Sequence, residues 1–421
     1  MKQIIPIIFM LFGFNAAIGQ TISLKECFDN AEKNYPLLIQ QELWQESFTE
    51  TNAMLNKSWM PQVDFNAQAT YQSEVTQVSL PIPNLNIPIL DKDQYRATLD
   101  IRQLIWDGGT IGKEKKIKRI ENTIEQQKVT IDLFKLKERI AQIYFRILLT
   151  DESILLTNLA IEDLNTRLKT IESGVKNGAV LQSSADRLKV EILRQRQRIT
   201  EQQTDRNTNI NALNSLLGTS YSNNVALTLP QISITPNNVQ LRPEMQLFEL
   251  QQQQFAAKMK SVTTKNMPRL SAFAQGGYGR PGLNMFDPDF QFFYIAGLRL
   301  NWSLWNNSNG GNEKKMYSIA GQIVDKQKDI FVRNTNMQLQ MQQGEITKAE
   351  TLLTTDDEII NLQTSIKKSA TTQFENGTLS ANDYLNELNA ETMSKMNKKL
   401  HEIQLAMSKL NYQFATGKLE F

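Results

Sequence analysis

Residues 106–116, WDGGTIGKEKK, place glycines before a lysine, a combination that can hold a phosphate group. A nucleotide-binding P-loop needs Gly, four further residues and then Gly-Lys-Ser/Thr. Here Glu114 follows Gly112-Lys113, and Asp107 stands where the first glycine belongs. Because serine or threonine would bind magnesium and glutamate repels phosphate, the stretch does not predict a nucleotide site. We interpret it as a turn from a strand into a helix, where glycine supplies backbone freedom.

Side chains suited to other chemistry are few. The 421 residues include one cysteine, Cys27, and one histidine, His401. Zinc sites and nucleophile–base–acid triads need several such residues. The densest acidic cluster, Asp356-Asp357-Glu358, is typical of a solvated helix face rather than of paired catalytic carboxylates. We therefore predict no enzyme activity, no cofactor and no metal site.

The charge and hydropathy of the chain limit its partners and its location. The net charge of +2 gives no reason to expect a nucleic-acid partner. Residues 1–20 combine Lys2, an apolar stretch and the small-residue site Ala17-Ile18-Gly19, which is typical of a secretory signal peptide. No later run approaches the ~20 apolar residues of a membrane helix. If the chain crosses a membrane, it must do so with strands.

The two halves of the sequence share landmarks at constant spacings. The matching landmarks that lie 199 residues apart are Trp106/Trp305, Asn177-Gly178/Asn376-Gly377 and Gly218/Gly417, and those 207 apart are Pro36/Pro243 and Met60-Pro61/Met267-Pro268. Chance would not keep these spacings constant, so we interpret them as a duplication. The predicted divisions are a signal peptide at 1–20, a first repeat at 21–218, a linker at 219–241, a second repeat at 242–417 and a C-terminal end at 418–421.

Each repeat contains a segment with a period of two. Residues 62–75 and 290–302 alternate apolar and polar side chains, and 95–101 and 270–278 supply two further strands. Segments of about 10 residues with one aromatic-rich apolar face are typical of outer-membrane barrels. Four strands cannot close a barrel, because the smallest has about eight. The pattern therefore predicts that strands are pooled between subunits.

Helical periodicity follows each tryptophan. Residues 110–176 lack proline, and their apolar residues recur at spacings of three, four and seven. A helix of this length would be ~100 Å long. It turns at Asn177-Gly178 into a second helix that ends near Leu217, and the second repeat has the same pattern with a turn at Asn376-Gly377. The predicted fold class is mainly α with a β-barrel, built from duplicated long antiparallel helical hairpins.

The tryptophans at the ends of the strands have two readings. Trp106 and Trp305 lie where a predicted strand gives way to a predicted helix. Tryptophan is enriched at the boundary between lipid and water, so we expect both residues at the membrane interface. Packing in the protein core is the alternative.

Several short motifs, taken in order, resemble the TolC family of outer-membrane efflux ducts. They are Asn34-Tyr35-Pro36, the two Met-Pro pairs, LIWDGG at 104–109, Arg242-Pro243-Glu244 and the Asn-Gly turns. The resemblance covers nearly all of residues 22–417. It implies a homotrimer in the outer membrane of a Gram-negative bacterium, with four strands per subunit in a twelve-stranded barrel. A twelve-helix periplasmic tunnel would follow, with the linker in an equatorial band.

The resemblance also implies partners and a mechanism. In the family, the helical turns contact a periplasmic adaptor, or membrane fusion, protein, which connects the duct to an inner-membrane transporter of the RND or ABC type. Cargo would then leave passively by tripartite efflux or type I secretion. The expected adaptor-contact residues at the turns are Asn177, Gly178, Ala179, Asn376, Gly377 and Thr378. The glycines match the family pattern, whereas the valines that precede them in the family are absent.

A gate is implied less clearly. Asp383 lies six residues after Gly377, where family members carry a gating carboxylate, but the second family acid is Asn386 here. Ser380-x-x-Asp383 also fits a capping box, and Ser183-x-x-Asp186 offers the same cap at the other turn. An Arg-to-Asp gate link found in some members would need Leu379 and Ser184, so it is absent.

The main alternative function is that of a periplasmic coiled-coil adaptor of an efflux pump, which also contains long helical hairpins. An adaptor would have one hairpin flanked by small β domains. This sequence has two hairpins with amphipathic strands between them, which favours the duct.

Overall fold

The computed structural model describes residues 21–76, 89–234, 241–304 and 310–420. The predicted signal peptide at 1–20 and Trp305 lie outside these residues. The described chain is mainly helical, as predicted. Among these residues, no helix has the length and apolar character needed to cross a lipid bilayer.

Long helices dominate the described chain. They are α1 (Leu24–Asn34), α2 (Leu37–Lys57), α3 (Thr110–Lys176), α4 (Gln182–Leu217), α5 (Pro243–Ser261), α6 (Gly310–Glu375) and α7 (Ala381–Thr416), and a short 3-10 helix spans Val262–Asn266. The predicted helix at 110–176 is confirmed at both ends.

Two sheets accompany the helices. The strands are β1 (Thr21–Ile22), β2 (Gln62–Tyr71), β3 (Asp93–Trp106), β4 (Ala226–Leu227), β5 (Arg269–Arg280) and β6 (Gln291–Asn301). The larger sheet is antiparallel in the order β2-β3-β5-β6, and β1 pairs with β4 in parallel. Residues 226–235 have an extended, strand-like sequence, but among the described ones only Ala226 and Leu227 pair. The Thr228 N–H and carbonyl oxygen bond to the Tyr144 hydroxyl instead of to a strand, so the pairing ends there.

The duplication is visible in the backbone. α4 and α7 each contain 36 residues, and their bounds differ by the 199 residues that separate the sequence landmarks. Gly178 and Gly377 have φ angles of 73° and 72°, and Gly218 and Gly417 have φ angles of 62° and 83°. All four adopt the left-handed conformation in which glycine ends a helix without steric cost.

The contacts divide the chain into two compact units. Among the described residues, the helical unit comprises 21–38, 130–234, 241–243 and 330–420, and the sheet unit comprises 39–76, 89–129, 244–304 and 310–329. Each unit takes segments from both halves of the sequence. The repeat boundaries stay a prediction, because a division by contacts does not test them.

The largest apolar core belongs to the helical unit. It contains Cys27, Phe28, Ile140, Tyr144, Phe145, Leu213, Leu217, Leu410 and Phe414, among others. Within it, the Tyr144 hydroxyl donates to the carbonyl oxygens of Ile22 (2.9 Å) and Thr228 (2.7 Å) and accepts from the Thr228 N–H (3.0 Å). Tyr144 therefore ties α3 to the segments around β1 and β4.

Candidate functional site

The four-stranded sheet has one wholly apolar stretch of face. Leu99 lies opposite Phe65 on one side and Gly276 on the other, and Gly276 lies opposite Tyr294. Alternate residues of all four strands share this face. Its side chains are strongly exposed in the single chain: Phe65 is 72%, Phe292 85% and Tyr294 83% exposed. So much exposed aromatic surface marks a face that contacts lipid or another protein.

Within the described part of the chain, both edges of this sheet are open. There, β2 pairs only with β3, and β6 pairs only with β5. Unpaired edge strands present a row of free N–H and C=O groups that can pair with another chain. The two edge strands run in opposite directions, because each of the three pairings in the sheet is antiparallel. A second copy can therefore extend the sheet with the same antiparallel pattern.

The WDGG stretch is the predicted turn between a strand and a helix. The Asp107 carboxylate, which is buried, accepts hydrogen bonds from the N–H groups of Gly109 (2.8 Å) and Ile111 (2.5 Å). Gly108 and Gly109 have φ angles of 72° and 84°. Asp107 thus caps the first turn of α3, which explains why this position carries an acid instead of a phosphate-binding glycine.

Tryptophans lie at the end of the sheet that leads into α3. Trp106 is 44% exposed at the end of β3, so core packing does not describe it. Trp302, just after β6, and Trp59, just before β2, are also exposed. Trp302 donates through Nε1 to the Asn266 carbonyl oxygen at 3.2 Å. The sequence analysis did not select Trp59 and Trp302, although their positions beside strand ends would have allowed it.

The two Asn-Gly turns expose the predicted adaptor-contact residues. Asn177, Gly178 and Ala179 follow α3, and Asn376, Gly377 and Thr378 follow α6; all six are exposed. Backbone bonds close both turns in the same way: Ala179 N–H donates to Gly174 O, and Thr378 N–H donates to Gln373 O, each at 2.9 Å. No side chain lies within 4 Å of where a Cβ would stand on Gly178 or Gly377.

Asp383 makes the cap that the sequence allows. The Ser380 Oγ accepts from the Asp383 N–H at 3.2 Å and donates to Asp383 Oδ2 at 2.6 Å. Asp383 also lines a groove of about 320 Å³ between α6 and α7, together with Glu387. Asn386 is exposed but does not line this groove. The second carboxylate beside Asp383 is therefore Glu387, one helical turn further along α7.

The equivalent cap predicted at the other turn is wrong. α4 begins after Leu181, whose side chain cannot cap, so Ser183 falls inside the first turn. Asp186 instead accepts a hydrogen bond from the Gln182 side chain at 2.8 Å. The two hairpins, alike in length, thus begin their second helices differently.

A network of charges joins the two hairpins near the turns. Asp163 on α3 contacts Lys367 on α6 (2.7 Å) and accepts a hydrogen bond from the Tyr384 hydroxyl on α7 (3.2 Å). Arg167 lies 3.4 Å from Asp163 and also pairs with Glu375. This set, with Glu391, is called the tip network below. The sequence analysis missed it, because its members are distant in sequence.

Glu391 extends the tip network along α7. Lys395 lies 2.8 Å and Lys367 3.5 Å from its carboxylate, and the Thr364 hydroxyl donates to it at 3.0 Å. Although burial disfavours its charge, the hydrogen bond from Lys395 and the charge of Lys367 lower the pKa of Glu391. The carboxylate is therefore held ionised between two lysines.

Tyr384 is the buried centre of the same network. Its side chain is fully buried and stacks on Phe374 with ring centroids 4.9 Å apart. Burial, together with the charge of Asp163, raises the pKa of Tyr384. The hydroxyl thus keeps its proton and donates a hydrogen bond to Asp163. This bond holds α7 against α3.

The acidic cluster on α6 is not simply a solvated face. Asp356 is buried and lies 2.7 Å from Nδ1 of His401, the only histidine, while Asp357 pairs with Lys398. These contacts join α6 to α7. The expected solvated face is therefore wrong for Asp356, because a partner helix covers it.

The comparisons with known proteins agree with this geometry. Residues 28–219 match the family model described as outer membrane efflux protein. No curated protein matches the chain. A crystal structure of CusC, described as forming a transmembrane channel, has a TM-score of 0.73 at 12% identity, over 94% of this chain and 92% of that one.

Two further solved structures are similar. The outer membrane protein VceC from Vibrio cholerae has a TM-score of 0.69 at 14% identity, over 94% of this chain and 96% of that one. The MtrE outer membrane channel of Neisseria gonorrhoeae, in an open state, has a TM-score of 0.69 at 12% identity, over 94% and 89%. At these low sequence identities, the similarity supports the fold and not a shared substrate or partner.

The paired hairpins, the amphipathic sheet and the family match define an exit duct of the bacterial outer membrane. Over residues 28–219 the chain matches the outer membrane efflux protein family, and over 94% of its length it has the fold of the solved outer membrane channels. It therefore acts in efflux from the outer membrane of a Gram-negative bacterium, with its helices in the periplasm. The predicted duct and its location are confirmed, and the adaptor alternative is not supported.

Proposed function

We propose that three copies of this chain close a twelve-stranded barrel and continue as a twelve-helix tunnel, through which cargo leaves passively. The observation that carries the proposal is the four-stranded sheet with two open antiparallel edges. Four strands cannot close a barrel, whereas twelve can. The number three comes from the resemblance to TolC-type ducts. The apolar face would contact outer-membrane lipid, with Trp106 at the interface.

An exposed stripe on α6 supports assembly. Ile330 and Met337 lie seven residues apart, as do Leu352, Ile359 and Ile366, and all five are exposed. Apolar residues at intervals of seven form the seam of a coiled coil. A single chain leaves this seam uncovered, and a neighbouring copy would cover it.

Native mass spectrometry of the detergent-extracted protein tests the assembly. We expect a mass three times that of the mature chain, and electron microscopy should show three-fold symmetry. The double variant Ile359→Lys/Ile366→Lys at the seam should lower the fraction of protein that forms a trimer. The variant Thr372→Lys, at an exposed position outside the seam, should not. A stable monomer or dimer of the native chain would rule out the pooled barrel.

The exposed Asn-Gly turns are the proposed contact with a periplasmic adaptor, which would connect the duct to an inner-membrane transporter of the RND or ABC type. We propose Asn177, Gly178, Ala179, Asn376, Gly377 and Thr378 as the contact residues. Their support is the shared exposure of both turns and the family resemblance.

Bulky charged variants at the turns test this contact. Ala179→Arg or Thr378→Arg should abolish dye efflux from cells that carry only the variant, while the trimer mass stays unchanged. Thr170→Arg, exposed two turns before the end of α3, is the matched control and should keep efflux. If a variant that carries both Ala179→Arg and Thr378→Arg shows normal efflux, these residues do not contact the adaptor.

We propose that the tip network, with the acidic pair Asp383 and Glu387, forms the periplasmic gate. Asp383 was the sequence-based candidate, and Asn386 is retained only as its neighbour. The support is that Asp163, Lys367 and Tyr384 join α3 to α6 and α7 near the turns. Three copies of Asp383 and Glu387 around one axis would form an acidic ring that attracts cations.

A further inference from the structure

The polar face of the four-stranded sheet carries an excess of arginine. Asp64 lies opposite Asp100, Asp100 opposite Gln275, and Gln275 opposite Ile295. Because alternate residues share a face, these pairings define one surface across all four strands. Its charged residues within the strands are Arg96, Arg102, Arg269, Arg299, Asp64 and Asp100. The face thus has four positive charges against two negative ones.

Two of the four arginines of this face, Arg96 and Arg299, lie over aromatic rings. The Arg299 Cζ lies 4.9 Å from the ring centroid of Phe273, and the Arg96 Cζ lies 5.6 Å from that of Phe293. In the part of the chain that the structure describes, none of the four arginines forms an ion pair with a carboxylate. A guanidinium that lies over a ring still has N–H groups in its own plane that can donate to an anion.

The aspartates are occupied by neutral donors. The Asp100 carboxylate accepts hydrogen bonds from Asn66 (2.7 Å), Thr98 (3.0 Å) and Gln275 (2.5 Å). All three of these hydrogen bonds come from amide or hydroxyl donors, and none comes from an arginine. The positive charge of the face is therefore not cancelled by local pairing.

Two glycines make room for the rings. Phe293 lies opposite Gly277, and Phe273 lies opposite Gly297. A Cβ on Gly277 would come within 2.5 Å of the Phe293 ring, and one on Gly297 within 3.1 Å of the Phe273 ring. Each ring therefore lies over a glycine, which is a known way to cover an exposed glycine in a strand. The same arrangement, glycine below, ring between and guanidinium above, occurs twice.

We propose that this polar face is an anion-binding surface of the export path, and that it favours organic anions, such as aromatic carboxylates or sulfonates, over cations. The inference rests on the proposed function, because only a closed barrel places the face in its lumen. Three copies would triple the excess of arginine along one pore. Arginine-lined pores select anions, and guanidinium recognises carboxylate, sulfonate and phosphate oxygens through paired hydrogen bonds.

Reversal potentials of the purified trimer in planar bilayers, under a KCl gradient, test the proposal. The double variant Arg102→Gln/Arg299→Gln should lower the ratio of chloride to potassium permeability by roughly twofold or more. Asp64→Asn should raise the same ratio, because it removes a negative charge from the same face. Arg146→Gln, exposed on α3 and outside the sheet, makes the same charge change as a control and should leave the ratio unaltered.

A second measurement needs no open gate. Fluorescence anisotropy of naphthalene-1-sulfonate, titrated with the trimer in nanodiscs, should show weaker binding to the double variant and tighter binding to Asp64→Asn. Shifts in opposite directions distinguish charge from misfolding, which would move both variants the same way. If all three substitutions leave both the permeability ratio and the probe binding of the trimer unchanged, the proposed anion-binding surface is wrong. The proposed duct is not affected by that result. Failure to form a trimer overturns the duct itself.

Discussion

Single residues decide how the two hairpins are held together near the turns. Tyr384 is buried against Phe374, and its hydroxyl has one carboxylate, Asp163, as its hydrogen-bond acceptor. Asp163 in turn faces two cations, Lys367 and Arg167. Removing the one anion at the centre leaves both cations and a hydroxyl with fewer partners. Partly buried networks respond strongly to such a loss.

Asp163→Asn is expected to loosen the start of α7. The Asp163, Lys367 and Arg167 side chains are partly exposed, so we expect a cost of ~1–2 kcal/mol, below that of a fully buried pair. Amide hydrogen exchange in residues 381–391 should accelerate by a factor of about 5–30. Glu172→Gln is the matched control, because it removes a carboxylate of α3 from the exposed pair with Lys189.

The pH dependence of this opening has a defined sign. The pKa of Glu391 is lowered in the folded chain, so its contribution is present above the ordinary carboxyl pKa. It is lost as the pH falls through the lowered pKa. After correction for the intrinsic slowing of amide exchange in acid, the protection of the same segment in the native chain should therefore fall as the pH drops below the ordinary carboxyl pKa. If residues 381–391 exchange at the same rate in Asp163→Asn, Glu172→Gln and the native chain, the tip network does not hold this segment closed, and its proposed role in the gate is wrong.

The sequence could suggest Asp383 but not the tip network. Ser380 and Asp383 lie three residues apart, so a local motif reports their contact. Asp163 and Lys367 meet only because two hairpins pack side by side. No spacing rule within one helix relates them, and each is an ordinary charged residue in its own segment. Long-range ion pairs of this kind need the fold before they can be recognised.

At the scale of elements, the turns and helix ends are fixed by glycines in the left-handed conformation. Gly377 and Gly417 share this conformation, with φ angles of 72° and 83°, but their surroundings differ. A Cβ on Gly377 would meet nothing within 4 Å, whereas one on Gly417 would lie 2.4 Å from the carbonyl carbon of Leu241. Glycine at 377 is therefore required only for the left-handed backbone conformation. Glycine at 417 is required both for this conformation and for the close contact with Leu241.

Alanine at these two glycines should separate the two roles. Gly377→Ala should cost ~1–2 kcal/mol, the price of the left-handed conformation for a residue with a Cβ. Gly417→Ala should cost ~1–3 kcal/mol more, because the backbone near Leu241 must move. Chemical denaturation of the detergent-solubilised trimer measures both.

Gly321→Ala provides the control for this pair. Gly321 lies within α6, outside the seven-residue spacing of the proposed seam, and a Cβ there would meet nothing within 4 Å. Alanine favours a helix interior, so the variant should be neutral or more stable by up to ~1 kcal/mol. Equal losses for Gly377→Ala and Gly417→Ala would contradict the proposed role of close packing at the helix end.

The elements themselves were largely predictable. Long runs without proline and with helical periodicity gave both ends of α3, and strand alternation located the four strands of the larger sheet. The linker was less predictable, because the backbone of Thr228 bonds to the distant Tyr144 hydroxyl and β4 pairs over two residues only. The start of α4 was misjudged, since the sequence offers a serine cap that the chain does not use. Local signals thus locate elements well and helix starts less well.

At the scale of the whole molecule, the two hairpins match in length but differ in detail. The second helices keep the same length, yet only α7 has a serine cap, and only α7 carries the acidic pair Asp383 and Glu387. The family and the duct could be inferred from the order of weak motifs. The tip network and the arginine-rich face could not, because both depend on which strands and helices lie side by side.

The open edges of the sheet have a genetic consequence. A barrel completed only by several chains contains the products of every allele that the cell expresses. A chain that assembles normally but has a blocked turn, such as Thr378→Arg, would enter most ducts when it is made alongside the native chain. Its effect would then be dominant, whereas a chain that cannot pair at β2 or β6 would be excluded and recessive.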